Sequence, residues 1–171
     1  MLKKLSLVAM MAVLSACSTS WKTYVPFMGD NKPVINLDKE QIDQKSYAVA
    51  YAATVQSYKG RINSNYDVNS FGSGVNDWYL KRILVPVEQI RNKLASGLDS
   101  QLHAYYSGVV FAADLQNNFS RLSKTCWSKI DPKSMTQGIY DAVIDLRKDK
   151  VRSDEDEYIT KGSEDLLKVC K

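Results

Sequence analysis

From Leu98 to Thr125 the apolar residues return every three or four positions, at Leu98, Leu102, Tyr105, Val109, Ala112, Phe119 and Leu122, with Gln116 the one polar interruption. That period is helical, and Val110 and Ala113 widen the stripe as a helix packed on more than one neighbour requires. The chain is therefore expected to be all-α, a single bundle of about five helices with this one as its central post. No alternating run with hairpin turns competes, and no internal repeat is visible. Cys126 continues the same spacing, which turns its thiol inward at the helix end.

The flanking segments read in the same way. Asp38 and Gln41 have the spacing of a capping box, and Tyr47, Tyr51, Tyr58 and Ile62 then share one face, predicting a helix over about 39–62. The tyrosine row is either a stacking platform for a ligand or a core edge whose hydroxyls reach water. Leu80, Ile83, Val87, Ile90 and Leu94 form the next stripe, with Pro86 inside it. The stripe keeps its phase through the proline, which favours a kink over a restart. After the Asp131-Pro132 turn, Met135, Ile139, Val143 and Leu146 predict a helix ending near Val151. Ser153, followed by Asp154, Glu155, Asp156 and Glu157, reads as the start of a last helix with Ile159, Gly162, Leu166 and Cys170 along one side.

Between the first two helices, residues 63–77 are rich in asparagine, serine, glycine and aspartate, which is loop chemistry. A connection of that length in a small domain is uncommon unless it has a function. Tyr66, Phe71, Trp78 and Tyr79 lie in or beside it, and aromatic anchors among small polar neighbours are the composition of a contact site. These four are the candidate partner-binding residues. The alternative is that they fold back and plug the end of the bundle.

The N-terminus determines where the protein works. Lys3 and Lys4, the apolar run Leu5 to Val13 and the small residues before Cys17 make an export signal, too short to span a bilayer as a helix. Leu14-Ser15-Ala16-Cys17 resembles the lipobox of bacterial lipoproteins. The resemblance implies removal of residues 1–16 and acylation of Cys17 on its thiol and new amino group, with the membrane held through those acyl chains. A single chain binds only marginally; several hold firmly. Ser18 stands where an aspartate commonly retains such proteins in the inner membrane, so the resemblance implies the outer membrane; the periplasmic face is the expected orientation, with surface exposure the alternative. Residues 17–37 read as lipidated terminus and linker, and 38–171 as the bundle domain.

Removal of Lys3 and Lys4 takes the formal charge from +4 to +2, a near-balance that argues against nucleic acid. In an oxidising compartment Cys126 and Cys170 are most simply a disulfide, worth about 3 to 4 kcal/mol for a loop of this size. Two buried thiols and a pair of metal ligands are the alternatives, the latter weakened by the lone histidine, His103, which lies beside the long stripe. No catalytic constellation, metal or cofactor site stands out: Phe71-Gly72-Ser73-Gly74 lacks the context of a phosphate loop, and Glu40, Asp77 and Glu88 form a carboxylate pair only if the fold brings them together. The expected role is therefore non-enzymatic: a protein-binding accessory or assembly factor of an envelope or secretion complex. An inhibitor or immunity protein acting through residues 63–79 is the alternative, and an envelope enzyme the third possibility.

Overall fold

The structure, a computed structural model, describes residues 33–171, so the signal, Cys17 and most of the linker lie outside it. Among the described residues there are six α-helices: α1 Gln44–Tyr58, α2 Val68–Tyr79, α3 Val87–Ala95, α4 Ser100–Leu122, α5 Pro132–Arg147 and α6 Glu157–Val169, with short 3-10 turns at Lys39–Gln41 and Trp127–Lys129. The all-α expectation holds, with one helix more than expected.

Aspartate starts five of the six. Asp43, Asp67, Asp99, Asp131 and Asp156 each accept a backbone N–H from the first turn, satisfying a donor that has no partner inside the helix. The capping box at Asp38 and Gln41 closes the 3-10 turn instead, so α1 begins later than the box implied and also ends earlier, at Tyr58. Likewise α6 is capped by Asp156 rather than Ser153, whose hydroxyl accepts the N–H of Glu155, and α5 stops at Arg147 rather than near Val151.

The expected long loop is not there, because residues 68–79 form α2. Val68, Phe71 and Val75 are its buried stripe, and its glycines serve packing rather than flexibility. A Cβ on Gly74 would lie 2.0 Å from the carbonyl oxygen of Tyr105, and one on Gly108 would lie 2.0 Å from that of Phe71. Each helix thus presents a glycine to the other's main chain where α2 and α4 cross. The propensity lost at Gly74, about 1 kcal/mol in a helix interior, is offset by this approach.

Pro86 splits the next segment instead of kinking it. Leu80 to Val85 are not helical, and α3 starts after the proline. Of the predicted stripe only Ile90 is buried, and Leu80 is 45% exposed.

The packing runs as a ladder: α3 lies on α4, α4 on α2, α2 on α5, α5 on α1 and α1 on α6. The long helix α4 is therefore not the central post, and α2 and α5 hold the middle. Its stripe is small where α2 closes on it, at Ala104, Gly108 and Ala112, and its last residue, Leu122, is 54% exposed. Between α1 and α5 the caps interlock: Asp43 N–H donates to Ser134 Oγ at 2.8 Å and Asp131 N–H donates to Ser46 Oγ at 2.9 Å. The two helices start side by side and run in the same direction. The disulfide forms as expected, joining the connector after α4 to the end of α6 across a separation of 44 residues, both cysteines buried.

Candidate functional site

Among the described residues, a polar cluster and the two depressions bordered by α1 are the candidate sites. The cluster is the tyrosine row of α1. Tyr47 and Tyr51 are 2% exposed, and their hydroxyls donate to Asp141 at 2.9 Å and Asp145 at 2.7 Å on α5. The row is thus a core edge: Tyr47 and Tyr51 place their hydroxyls on carboxylates, and Tyr58 packs its ring on Phe71 and Phe111. The Arg152 guanidinium sits 5.6, 5.4 and 5.9 Å from the ring centroids of Tyr47, Tyr51 and Tyr158, within range of cation–π attraction. Its backbone N–H donates to the Tyr51 hydroxyl at 3.0 Å.

Burial dominates the acidities in this cluster. It pushes Tyr51 up to about 12 and Tyr47 further above the ordinary phenol value. Burial also raises Asp141, although hydrogen bonds from Tyr47 and Gln137 oppose the shift. A tyrosine that resists ionisation remains a hydrogen-bond donor, which is what Asp141 and Asp145 require. The cavity beside the cluster, about 410 Å3, is bordered by Tyr51, Lys59, Arg152 and Thr160. Arg152 is already committed there to the tyrosine rings and hydroxyls, so the arrangement clamps the connector between α5 and α6 and presents no cage to a ligand.

The second depression differs. A groove of about 450 Å3 runs between the end of α1 and the middle of α4. Its apolar floor comes from Ala53, Val110, Phe111 and Leu115, and its rim carries Gln56, Ser57, Arg61, Asp114 and Asn118. Beneath it, Tyr58 meets Phe71 edge-on at 5.1 Å and Phe111 at 5.2 Å, geometries that aromatic quadrupoles favour. Burial holds the Tyr58 hydroxyl up at about 12. Asp114 accepts a hydrogen bond from Arg91 of α3, which raises Arg91 above its ordinary value. The groove is apolar below and polar at both lips, a form suited to a peptide segment or helix ridge.

The sequence-derived contact residues do not form an exposed set. Phe71 is fully buried, and Tyr66 packs against it at 6.0 Å. Trp78 donates its indole N–H to Gln116 at 2.8 Å, and Tyr79 lies against Trp127 with its hydroxyl directed at the Ala112 carbonyl. The aromatics plug the bundle, because helix formation turns them onto α4 and its neighbours. Gln116, the polar break in the stripe, is there to receive Trp78.

The acids are not brought into one pair. Asp77, 1% exposed, accepts from the Tyr105 hydroxyl at 2.9 Å and from Arg82 at 3.3 Å, Glu88 accepts from Arg91, and Glu40 lies on the first 3-10 turn. His103 is exposed, its Nδ1 3.5 Å from Ser107 Oγ. Sequence reasoning missed the groove residues of α4. Phe111, Asp114, Leu115 and Asn118 share a second helical face, but its mixed polarity gives no stripe.

No solved structure matches the chain. A protein of Haemophilus influenzae (strain Rd), described as an uncharacterized protein, is 58% identical over 174 residues, covering 99% of this chain and 97% of that one. A family model described as "Uncharacterised lipoprotein" matches residues 40–171, nearly all of the described fold. The chain belongs to that family of lipoproteins.

Proposed function

We propose that the mature protein, acylated on Cys17, is an outer-membrane lipoprotein facing the periplasm, whose helical domain binds another envelope protein as an accessory or assembly factor. Family membership supports a membrane-anchored place in the envelope. Ser18 supports the outer membrane, by the lipoprotein pattern described above. The observation that carries the binding role is the α1–α4 groove, with an aromatic-backed floor and polar lips on a disulfide-closed scaffold. Such a surface accepts a protuberance of a partner without rearrangement of the bundle. An inhibitor acting through residues 63–79 is less supported, because Val68–Tyr79 is packed helix and only the short turn before it is exposed.

The test fills the groove from its exposed rim. Ser57→Arg with Asn118→Arg leaves the buried floor untouched, so the helical signal and melting point should hold. In crosslinked envelopes the wild-type chain should capture one partner in fixed stoichiometry, and the double variant should lose it. Equal capture by both proteins refutes the groove reading, and recovery of lipid and abundant porins alone refutes the binding role.

A further inference from the structure

The segment ahead of the described fold is apolar where a spacer has no need to be. Between Ser18 and Lys32 stand Trp21, Tyr24, Val25, Phe27 and Met28, five large apolar residues within eight positions. A linker that only gives reach is made of small and polar residues. A run this apolar gains free energy from cover.

The residues that follow it set where it leads. Read from Asp43 back to Val34, the backbone lies along α5 against the direction of that helix. Asp43 N–H donates to Ser134 Oγ, Leu37 N–H donates to Gln137 Oε1 at 2.9 Å, and a Cβ on Gly72 would meet both the Tyr140 ring and, at 3.4 Å, a Val34 methyl. Helix α1 runs beside α5 in the same direction, with Tyr47 level with Asp141 and Tyr51 with Asp145. The backbone traced backwards therefore advances toward the end of the bundle where α1 finishes. There the last turns of α1, with Arg61 beyond them, form one wall of the α1–α4 groove.

Only α2 separates Val34 from that groove. Its Gly72 faces Val34, and the adjacent Phe71 faces Tyr58 and Phe111 beneath the groove floor. A helix is about 10 to 12 Å across with its side chains, so a path round the start of α2 is roughly 20 Å. From Pro33 the extended chain covers about 20 Å to Phe27 and about 30 Å to Tyr24. On the membrane side, Phe27 to Cys17 still covers about 33 Å.

We infer that this chain's own linker is the groove's resident occupant: Phe27, with Tyr24 beside it, seats on the floor of Val110, Phe111 and Leu115. Tethering makes a weak contact sufficient. A site on a short flexible tether meets its ligand at about 1 mM, so a Kd of about 0.1 mM leaves the groove filled about ten times as often as vacant. For an outside partner that occupancy lowers the apparent affinity about ten-fold. The linker is thus a placeholder that covers an apolar groove until a tighter ligand displaces it. This regulatory consequence rests on the binding role proposed above; the contact itself does not.

The test is limited chymotrypsin digestion of the full acylated chain in detergent micelles, with cleavage after Phe27 followed by mass spectrometry. The wild type should be cut about ten-fold more slowly than Ser57→Arg with Asn118→Arg, whose rim closes the groove, the ratio that the occupancy sets. The same ratio should hold in phosphatidylethanolamine–phosphatidylglycerol vesicles. A second measurement does not depend on the protease. On mild oxidation Phe27→Cys with Asn118→Cys should crosslink within one chain at least about ten-fold faster than Phe27→Cys with Gln89→Cys, an exposed site on α3, by the same effective-concentration argument. Equal cleavage of wild type and rim variant, or equal crosslinking of the two cysteine pairs, overturns the inference. So does protection that appears only in vesicles and persists in the rim variant, which assigns the aromatics to the membrane surface, or crosslinks that form only between chains, which mark a second copy. The two readings fail separately. A rim variant that loses the linker contact yet captures its partner as well as wild type refutes the binding role alone. A wild type that captures through the groove but shows no linker contact refutes this inference alone.

Discussion

Replacing Gly108 with alanine tests the reasoning about the α2–α4 crossing most directly. A Cβ there would lie 2.0 Å from the Phe71 carbonyl oxygen, 2.9 Å from its carbon and 3.2 Å from the Val75 nitrogen. All three are main-chain atoms, so no side chain can rotate away, and one helix must retreat by more than an ångström. Overpacking typically costs about 1 to 3 kcal/mol, and contact with backbone puts this site at the upper end. Alanine recovers about 1 kcal/mol of helix propensity, which leaves a net loss of roughly 2 kcal/mol. For a domain of this size that lowers the melting temperature by about 4 to 8 °C, read by far-ultraviolet circular dichroism on the full chain. Gly74→Ala, which meets the Tyr105 oxygen at 2.0 Å, should behave alike. The double variant should lose less than the sum, because the first methyl already holds the helices apart. A Gly108→Ala protein that melts at or above the wild type would refute the close crossing.

Three further outcomes follow from the same geometry. Reduction, or Cys126→Ala with Cys170→Ala, should cost about 4 kcal/mol for a 44-residue separation and lower the melt by roughly 8 to 16 °C, whereas an unchanged melt under reductant would show the bridge to be without effect. Arg152→Lys should not restore what Arg152→Ala loses, about 1 to 2 kcal/mol together with faster proteolysis between α5 and α6, because the planar guanidinium is what faces the tyrosine rings. Burial works to raise Asp43, but hydrogen bonds from Ser46 and Lys45 outweigh it and hold the carboxyl below its ordinary 3.8. Because the folded value is the lower one, its contribution is present above 3.8 and lost as pH falls through the folded value. Asp43→Asn should therefore be less stable than wild type at neutral pH, with the gap closing in acid melts.

What could be read from the sequence divides along physical lines. Helices with large residues at regular steps, such as α5 with Met135, Ile139 and Val143, were visible because burial alone sets their pattern. The missed helix α2 is the reverse case, built from glycine, serine and asparagine whose local preference is for turns. Only the main chain of α4, distant in sequence, converts Gly74 from a breaker into a packing residue. A signal was nonetheless present: Asp-x-x-Ser occurs at Asp43, Asp67 and Asp131, and each aspartate accepts both the N–H and the hydroxyl of its serine. Periodicity kept its phase through Pro86 by coincidence, since a stripe records spacing and not whether the hydrogen-bond ladder continues. The groove was illegible because its floor and rim share one face of α4, and a face of mixed polarity has no period to detect.

The same ladder explains what the disulfide does for the groove. The groove walls are α1 and α4, yet these two helices share no extensive packed face; α1 lies on α5 and α6, and α4 lies on α2 and α3. Their spacing is set from two directions. Through the core, Phe71 of α2 touches both Tyr58 of α1 and Phe111 of α4, which fixes the groove floor. Around the outside, Cys126 follows α4 and Cys170 ends α6, while Gly162 of α6 lies against the Gln44 carbonyl and Ala48 of α1. The bridge therefore ties one groove wall to the other by way of α6. Each helix keeps its own caps and its own neighbour when the bridge opens, so secondary structure depends on it less than groove width does. In an oxidising compartment that coupling keeps the groove preformed, which is what the proposed binding role requires of it.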